Sequence, residues 1–187
     1  MSVVIGYKYN NQVYIGADSC ITYKGNKYID TNINNVKVYK FPNGILIGAV
    51  GNSRDFNVIK TMKIDIYNNF DYKFVVRYLV PKIVSELKEY GYLSDDDKFE
   101  HMGSSYIVAY KDKLFHIEND GSVSEVDKFV ATGCGEPEAY GSLYTNKSED
   151  PEEIIRDAIK ATSMHDVDVS MPAIIMNTLT DDVKIVE

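Results

Sequence analysis

The chain has 187 residues, 44% of them hydrophobic, and a formal net charge of −8. That length fits one domain, here taken as 1–187, and that hydrophobic share supplies a core and excludes wholesale disorder. The acidic balance argues against nucleic acid or an anionic membrane as main partner.

The first residues read as strands. Val3–Tyr9 and Gln12–Ala17 form a hairpin across Asn10-Asn11. A polar excursion runs from Asp18 to about Asn34. Val36–Phe41 and Ile45–Val50 form a second hairpin across Pro42-Asn43-Gly44. The period then changes: Phe56, Ile59, Met62, Ile66 and Phe70 recur at helical spacing and predict a helix over Ser53–Phe70. A second helix is expected over Tyr72–Tyr90, kinked or split at Pro81 and stopped at Gly91. Strands return at Ser105–Tyr110, Lys113–Glu118 and Phe129–Thr132. Helices follow at Pro137–Tyr144 and Glu152–Met164, the latter with Asp150 as N-cap and Pro151 at its first position. Val169–Met176 and Asp182–Val186 close the chain as strands. Strand runs alternating with helix pairs suggest an α+β fold with two packed sheets and helices outside, a four-layer αββα sandwich.

Neither Cys20 and Cys134 nor His101, His116 and His165 show disulfide or metal-ligand spacing. No apolar run approaches the ~18 residues that span a bilayer. The N-terminus lacks a signal-peptide pattern, so a cytoplasmic location is expected.

Three local constellations carry chemistry. Ser2 follows Met1 directly at the start of a strand. Once Met1 is removed, a hydroxyl and a free α-amine share one residue. An α-amine titrates near ~7.7–8.0 and serves as a base at neutral pH. The second is Gly48-Ala49-Val50-Gly51-Asn52-Ser53, a strand ending in glycine before a helix. Helix-start N–H groups lack internal partners, and glycine permits close approach, so the Gly51 N–H is a candidate oxyanion donor. The third is Thr132-Gly133-Cys134-Gly135 before Pro137. A helix N-terminus lowers a thiol pKa, which raises a cysteine hydrolase as an alternative, although no histidine stands as its obvious base.

In this order the pieces resemble a proteasome β-type subunit, nearest to the HslV type of peptidase. Ser2–Tyr9 with Val13–Ser19 resembles the family's opening hairpin with its acidic residue. Val36-Lys37-Val38 resembles its lysine strand, Gly48–Gly51 with Asp55 its oxyanion turn, Thr132–Gly135 its Gly-Ser-Gly turn, and Ala158–Ser170 its last long helix and acidic loop. The resemblance implies an N-terminal nucleophile hydrolase. Ser2 would be the nucleophile, Lys37 its activating charge, Asp18 the partner of Lys37, Gly51 the oxyanion donor, Cys134 a contact to the amine, and Asp166, in competition with Asp168, the orienter of the amine. Thr22 and Ser53 would hold substrate backbone, and Ala49 and Tyr39 would border the pocket before the scissile bond.

The sequence departs from the pattern with Ser at the nucleophile position, Cys134 for serine, and a longer stretch between Asp18 and Lys37. The resemblance further implies protein or peptide substrates and a homo-oligomeric ring, hexameric or heptameric and in stacked or single form. It also implies an AAA+ unfoldase partner, no propeptide beyond Met1, no required cofactor, and room for a structural Na+ or Mg2+ near the 166–170 loop. Two rivals share the fold: an inactive ring or scaffold subunit that keeps Met1, and a small-molecule amidase with a closed pocket.

Overall fold

A computed structural model describes residues 2–66, 69–91, 93 and 101–187. Chain order is β1 (Val3–Tyr9), β2 (Gln12–Asp18), β3 (Cys20–Tyr23), β4 (Asn26–Ile29), β5 (Val38–Lys40), β6 (Leu46–Gly51) and α1 (Ser53–Thr61). Then come α2 (Tyr72–Phe74), a π-helical turn (Val75–Leu79), α3 (Val80–Tyr90), β7 (Ser104–Tyr110), β8 (Lys113–Ile117), β9 (Val123–Glu125) and β10 (Phe129–Gly133). The chain closes with α4 (Glu136–Thr145), α5 (Pro151–Ser163), β11 (Ala173–Asn177) and β12 (Lys184–Val186).

Two five-stranded sheets form, in the orders β10-β1-β2-β11-β12 and β5-β6-β7-β8-β9, with β3-β4 as a separate hairpin. Alternation along each strand explains the layering, since successive side chains point to opposite faces. In β1, Val4 joins a core with Ile15, Val38, Leu46 and Ile107, between the two sheets. Val3, Ile5 and Tyr7 face the other way, into a core with Leu143, Ile155 and Ile159 of α4 and α5. Ile47 and Ala49 of β6 face Phe56, Ile59, Leu79 and Ile83 of α1 to α3. Both faces of each sheet are therefore buried, and the four-layer αββα sandwich stands. Fully burying an aliphatic side chain of this kind stabilises the fold by about 1.5–3 kcal/mol each.

Asp150 caps α5 by accepting from the Glu152 N–H at 2.9 Å, ahead of Pro151. Three expectations shift. The helix from Ser53 stops at Thr61, and Met62 turns to an extended backbone. Met62, Ile64 and Phe70 still reach the core, while the Ile64 carbonyl accepts from Asn43 Nδ2 at 2.7 Å instead of from a helical turn. The last part of that forecast, at 67–68, lies outside the described residues. Pro81 neither breaks nor ends the second helix. The turn ahead of it widens, with the Val80 N–H donating to the Val75 carbonyl five residues back, which accommodates the missing proline N–H and the ring. The polar stretch after Asp18 holds the β3–β4 hairpin, turned at Lys24-Gly25 with φ of 49° and 77°. Among the described residues, no helix is long and apolar enough to cross a membrane.

Candidate active site

Ser2 is only 7% exposed, directly ahead of the first residue of β1. Gly133 of β10 makes that position possible. It sits at φ 114°, and a Cβ there would lie 2.1 Å from the Ser2 carbonyl oxygen, so only glycine lets the two backbones come so close.

Asp18, at the end of neighbouring β2, is fully buried and does two jobs. Its carboxylate accepts from the Val3 N–H at 3.0 Å, next to Ser2, and from the Cys20 N–H at 2.9 Å. It also pairs with Lys37 Nζ at 2.9 Å. The Lys37 ammonium donates further to the Asp18 carbonyl at 3.0 Å and the Cys20 carbonyl at 2.5 Å. Three acceptors match its three N–H donors. Burial pushes the Asp18 pKa above the usual carboxylate value, and Lys37 and the two amides oppose that push.

Ser2, Lys37, Ala49 and Gly51 line one cavity of about 100 Å³, together with Thr22 and Ser53. A second cavity of about 310 Å³ is lined by Ser2, Gly51, Ser104, Asn119, Gly133 and Cys134. Ser2, Val50 and Gly51 belong to both, so both cavities border Ser2. Gly51 has φ 124°, and a Cβ there would meet the Gly103 carbonyl oxygen at 2.4 Å. Its turn is tied down from below. Ser104 Oγ donates to Asp55 Oδ2 at 3.1 Å and accepts from the Asn52 N–H at 3.0 Å.

Cys134 Sγ lies 3.4 Å from the Ser2 carbonyl oxygen and also contacts the Asp166 carboxylate. A thiol has one proton, so it donates to one of them at a time. Burial and the Asp166 carboxylate push this thiol up to about 12. That corrects the expectation of a helix-lowered pKa and removes the thiolate that a cysteine hydrolase needs. The thiol contact and the Asp168 N–H at 2.8 Å lower the Asp166 pKa. Asp168 is engaged elsewhere, accepting from Thr22 Oγ1 at 2.9 Å. Of the residues singled out in the sequence, Tyr39 stands apart. It lines a separate cavity of about 560 Å³ with Phe41, Leu179 and Val183. Cys20, Ile21, Asn35, Phe56 and Asn57 line the Ser2 cleft and went unnoticed. Their signal was weak, because Asn35 lies in a polar loop and Phe56 looked like an ordinary core position.

Two carbonyl oxygens of the 166–170 loop, where a structural Na+ or Mg2+ was expected, are already engaged by protein donors. The Val169 carbonyl already accepts from Ser170 Oγ at 2.8 Å and from the Lys27 ammonium at 3.3 Å. The Ser170 carbonyl accepts from the Ser19 N–H and hydroxyl at 3.1 and 3.3 Å. Both lone pairs of each oxygen are taken, one of them by a cation. Among the described residues no group of three or more His, Cys, Asp or Glu side chains could hold a metal ion.

Comparison with solved structures gives the same fold. BPH of Thiobacillus denitrificans matches with a TM-score of 0.79 at 21% identity, covering 96% of this chain and 100% of that one. Eukaryotic HslV from Trypanosoma brucei matches with a TM-score of 0.66 at 18% identity, covering 94% and 98%. Anbu, an ancestral β-subunit from Yersinia bercovieri, matches with a TM-score of 0.69 at 11% identity, covering 98% and 86%. Curated protein sequences gave no match. The family model described as Proteasome subunit matches residues 2–172, and the chain belongs to the proteasome subunit family, whose members include N-terminal nucleophile peptidases.

Proposed function

We propose that this chain is an endopeptidase that hydrolyses peptide bonds with Ser2 as its nucleophile, in a cytoplasmic ring fed by an AAA+ unfoldase. The observation that carries the reading is that two cavities border Ser2, with Val50 and Gly51 common to both. An extended chain passing through the cleft needs room before and after the scissile bond. A small-molecule amidase needs a closed pocket instead.

The chemistry follows from the groups present. Whatever precedes Ser2 must first be removed, Met1 included, because an acylated nitrogen is no base; methionine aminopeptidase would act here ahead of the small Ser2. The freed amine takes the proton from Ser2 Oγ as Oγ bonds to the substrate carbonyl carbon. The oxygen of that carbonyl becomes an oxyanion, which the Gly51 N–H stabilises; losing one such donor typically costs about 2.7–4 kcal/mol. The proton passes to the leaving nitrogen, the C–N bond breaks, and an ester on Ser2 remains. Water, deprotonated by the same amine, then cleaves the ester. Lys37 lowers the pKa of hydroxyl and amine by its charge, at about 1.4 kcal/mol per unit, and Asp18 holds Lys37 while pinning the Val3 amide beside Ser2. Asp166 orients the amine through the contact with Cys134. These steps use no metal and no cofactor.

Members of the family form ring assemblies, and the ring and unfoldase partner of this chain rest on that membership. BPH also matches in complex with epoxomicin, with a TM-score of 0.77 at 22% identity, and we extend that ligand to this chain as a probe. Intact mass of the protein from its native host is expected to show Met1 removed. Ser2→Ala is expected to cut turnover of short fluorogenic peptides by at least about 10³-fold. Equal rates in wild type and variant, or Met1 retained in the mature ring, overturn the reading in favour of another nucleophile or an inactive subunit.

A further inference from the structure

Lys60 takes no part in the chemistry above, yet its side chain supports the cleft from behind. It lies in the last turn of α1, and its ammonium donates to the Asn34 carbonyl at 3.0 Å and the Val36 carbonyl at 2.7 Å. The same nitrogen sits 4.4 Å from the centroid of the Phe56 ring. Those two carbonyls bracket Asn35, and the second immediately precedes Lys37. Asn35, Lys37 and Phe56 all line the Ser2 cavity.

The loop that Lys60 grips is a compact turn. The Asn35 and Val36 N–H groups both donate to the Asn32 carbonyl, at 2.8 and 3.1 Å, and the Asn34 N–H donates to Asn32 Oδ1 at 3.0 Å. Asn35 Nδ2 reaches Asp30 Oδ2 at 2.8 Å on the outer side. The groups facing the ammonium are the Phe56 ring from its own helix and the two carbonyls from the turn. Among the described residues no carboxylate forms an ion pair with it. A lysine with nothing to hold extends into water, where its charge is solvated. This one is half-buried, and burial pushes its pKa down to about 8. Retaining a desolvated ammonium on two carbonyls and a ring is the geometry of a tether.

We propose that Lys60 is a positioning residue for peptide hydrolysis, fixing Asn35 and Phe56 as the wall that meets the substrate side chain and holding the backbone that delivers Lys37. The proposal rests on the peptidase reading of the Ser2 cleft. It separates Lys60 from the reacting atoms and assigns it to substrate fit.

The test compares wild type with Lys60→Met and Lys60→Arg. In Lys60→Met, amide hydrogen exchange at Asn35 and Val36 rises by about tenfold or more, because the turn loses its anchor on α1. KM for peptides with a bulky residue before the scissile bond rises about tenfold, with a smaller fall in kcat. A merely structural role would reduce the active fraction, lowering kcat and leaving KM alone. Lys60→Arg keeps a cation with several donors over the ring and restores KM to within about threefold of wild type. Unchanged exchange and unchanged KM in Lys60→Met overturn the proposal. Should Lys60→Met not fold, the pH profile decides. Wild-type KM then rises between about pH 7 and 9.5 as the ammonium loses its proton, while Lys60→Arg stays flat; superimposable profiles overturn it. If wild type turns over no peptide at all, the peptidase reading fails, and the exchange measurement alone settles whether Lys60 anchors the turn.

Discussion

The two sheets contribute unequally to the cleft. The sheet built on β1 and β2 presents Ser2 and Asp18, and it holds them by backbone contact. Asp18 is pinned by two amides, and Ser2 is wedged against Gly133 with no room for a Cβ. The sheet built on β5 and β6 presents Lys37, Ala49 and Gly51, and side chains hold its rim: Lys60 on the 32–36 turn, and Ser104 with Asp55 under the Gly51 turn. The Asp18–Lys37 ion pair joins the halves. A backbone frame has one geometry, whereas side-chain struts can be exchanged. On the proposed reading, the first sheet fixes the nucleophile, and the side-chain struts of the second tune fit to the substrate.

Breaking the join should do most damage. Asp18→Asn keeps the shape but replaces one carboxylate oxygen with an NH2, so either the Val3 N–H or the Cys20 N–H together with Lys37 loses its acceptor, and the charge that pairs with Lys37 is gone. Removing one partner of a buried pair costs about 3–5 kcal/mol. Urea unfolding should show a loss of that size, with peptide turnover reduced by at least about 10³-fold. A variant with near wild-type turnover would mean that the two sheets do not act through this pair.

Gly51→Ala tests the second sheet where it meets the chemistry. A side chain at φ 124° meets the Gly103 carbonyl oxygen and the Ser104 Cα, both backbone atoms that cannot swing away. The turn must move, and its N–H with it. A fall in kcat of about 10²–10³-fold is expected, the loss of one oxyanion donor. If KM changes and kcat does not, Gly51 belongs to the adjustable rim and the Gly51 N–H is no oxyanion donor.

What the sequence disclosed follows the same division. The β1–β2 hairpin and the core of α5 were legible because Val3, Ile5, Ile155 and Ile159 recur at clean periods of two and of about 3.6. The β3–β4 hairpin was not, because β4 is exposed along its whole length and carries no apolar alternation. Asn35 and Lys60 were silent for a related reason. A tether between a helix end and a distant carbonyl leaves no local pattern. The resemblance alone put Tyr39 at the cleft; it lies in β5, beyond Lys37. Two residues beyond Lys37, the side chain has left the Ser2 cleft and packs edge-on against Phe41, with ring centroids 4.9 Å apart. The continuity of the second helix through Pro81 was hidden because a π-helical turn depends on packing, not on residue type.

Cys134 gives the smallest effect and sharpens the picture of the first sheet. Burial and the Asp166 carboxylate hold its thiol protonated up to about 12, while in the unfolded chain a cysteine ionises near ~8.5. Between those values the folded state binds the proton that the unfolded state releases. Stability contributed by this group is therefore complete below the unfolded pKa and declines as pH rises toward 12. Cys134→Ser should flatten that alkaline decline in urea titrations and should change peptide turnover by less than about tenfold, because a hydroxyl can still donate to Asp166 or the Ser2 carbonyl. Iodoacetamide should label Cys134 slowly at pH ~8 and faster only as pH climbs, read by intact mass. Rapid labelling at neutral pH would place a thiolate beside Ser2 and reopen the nucleophile assignment.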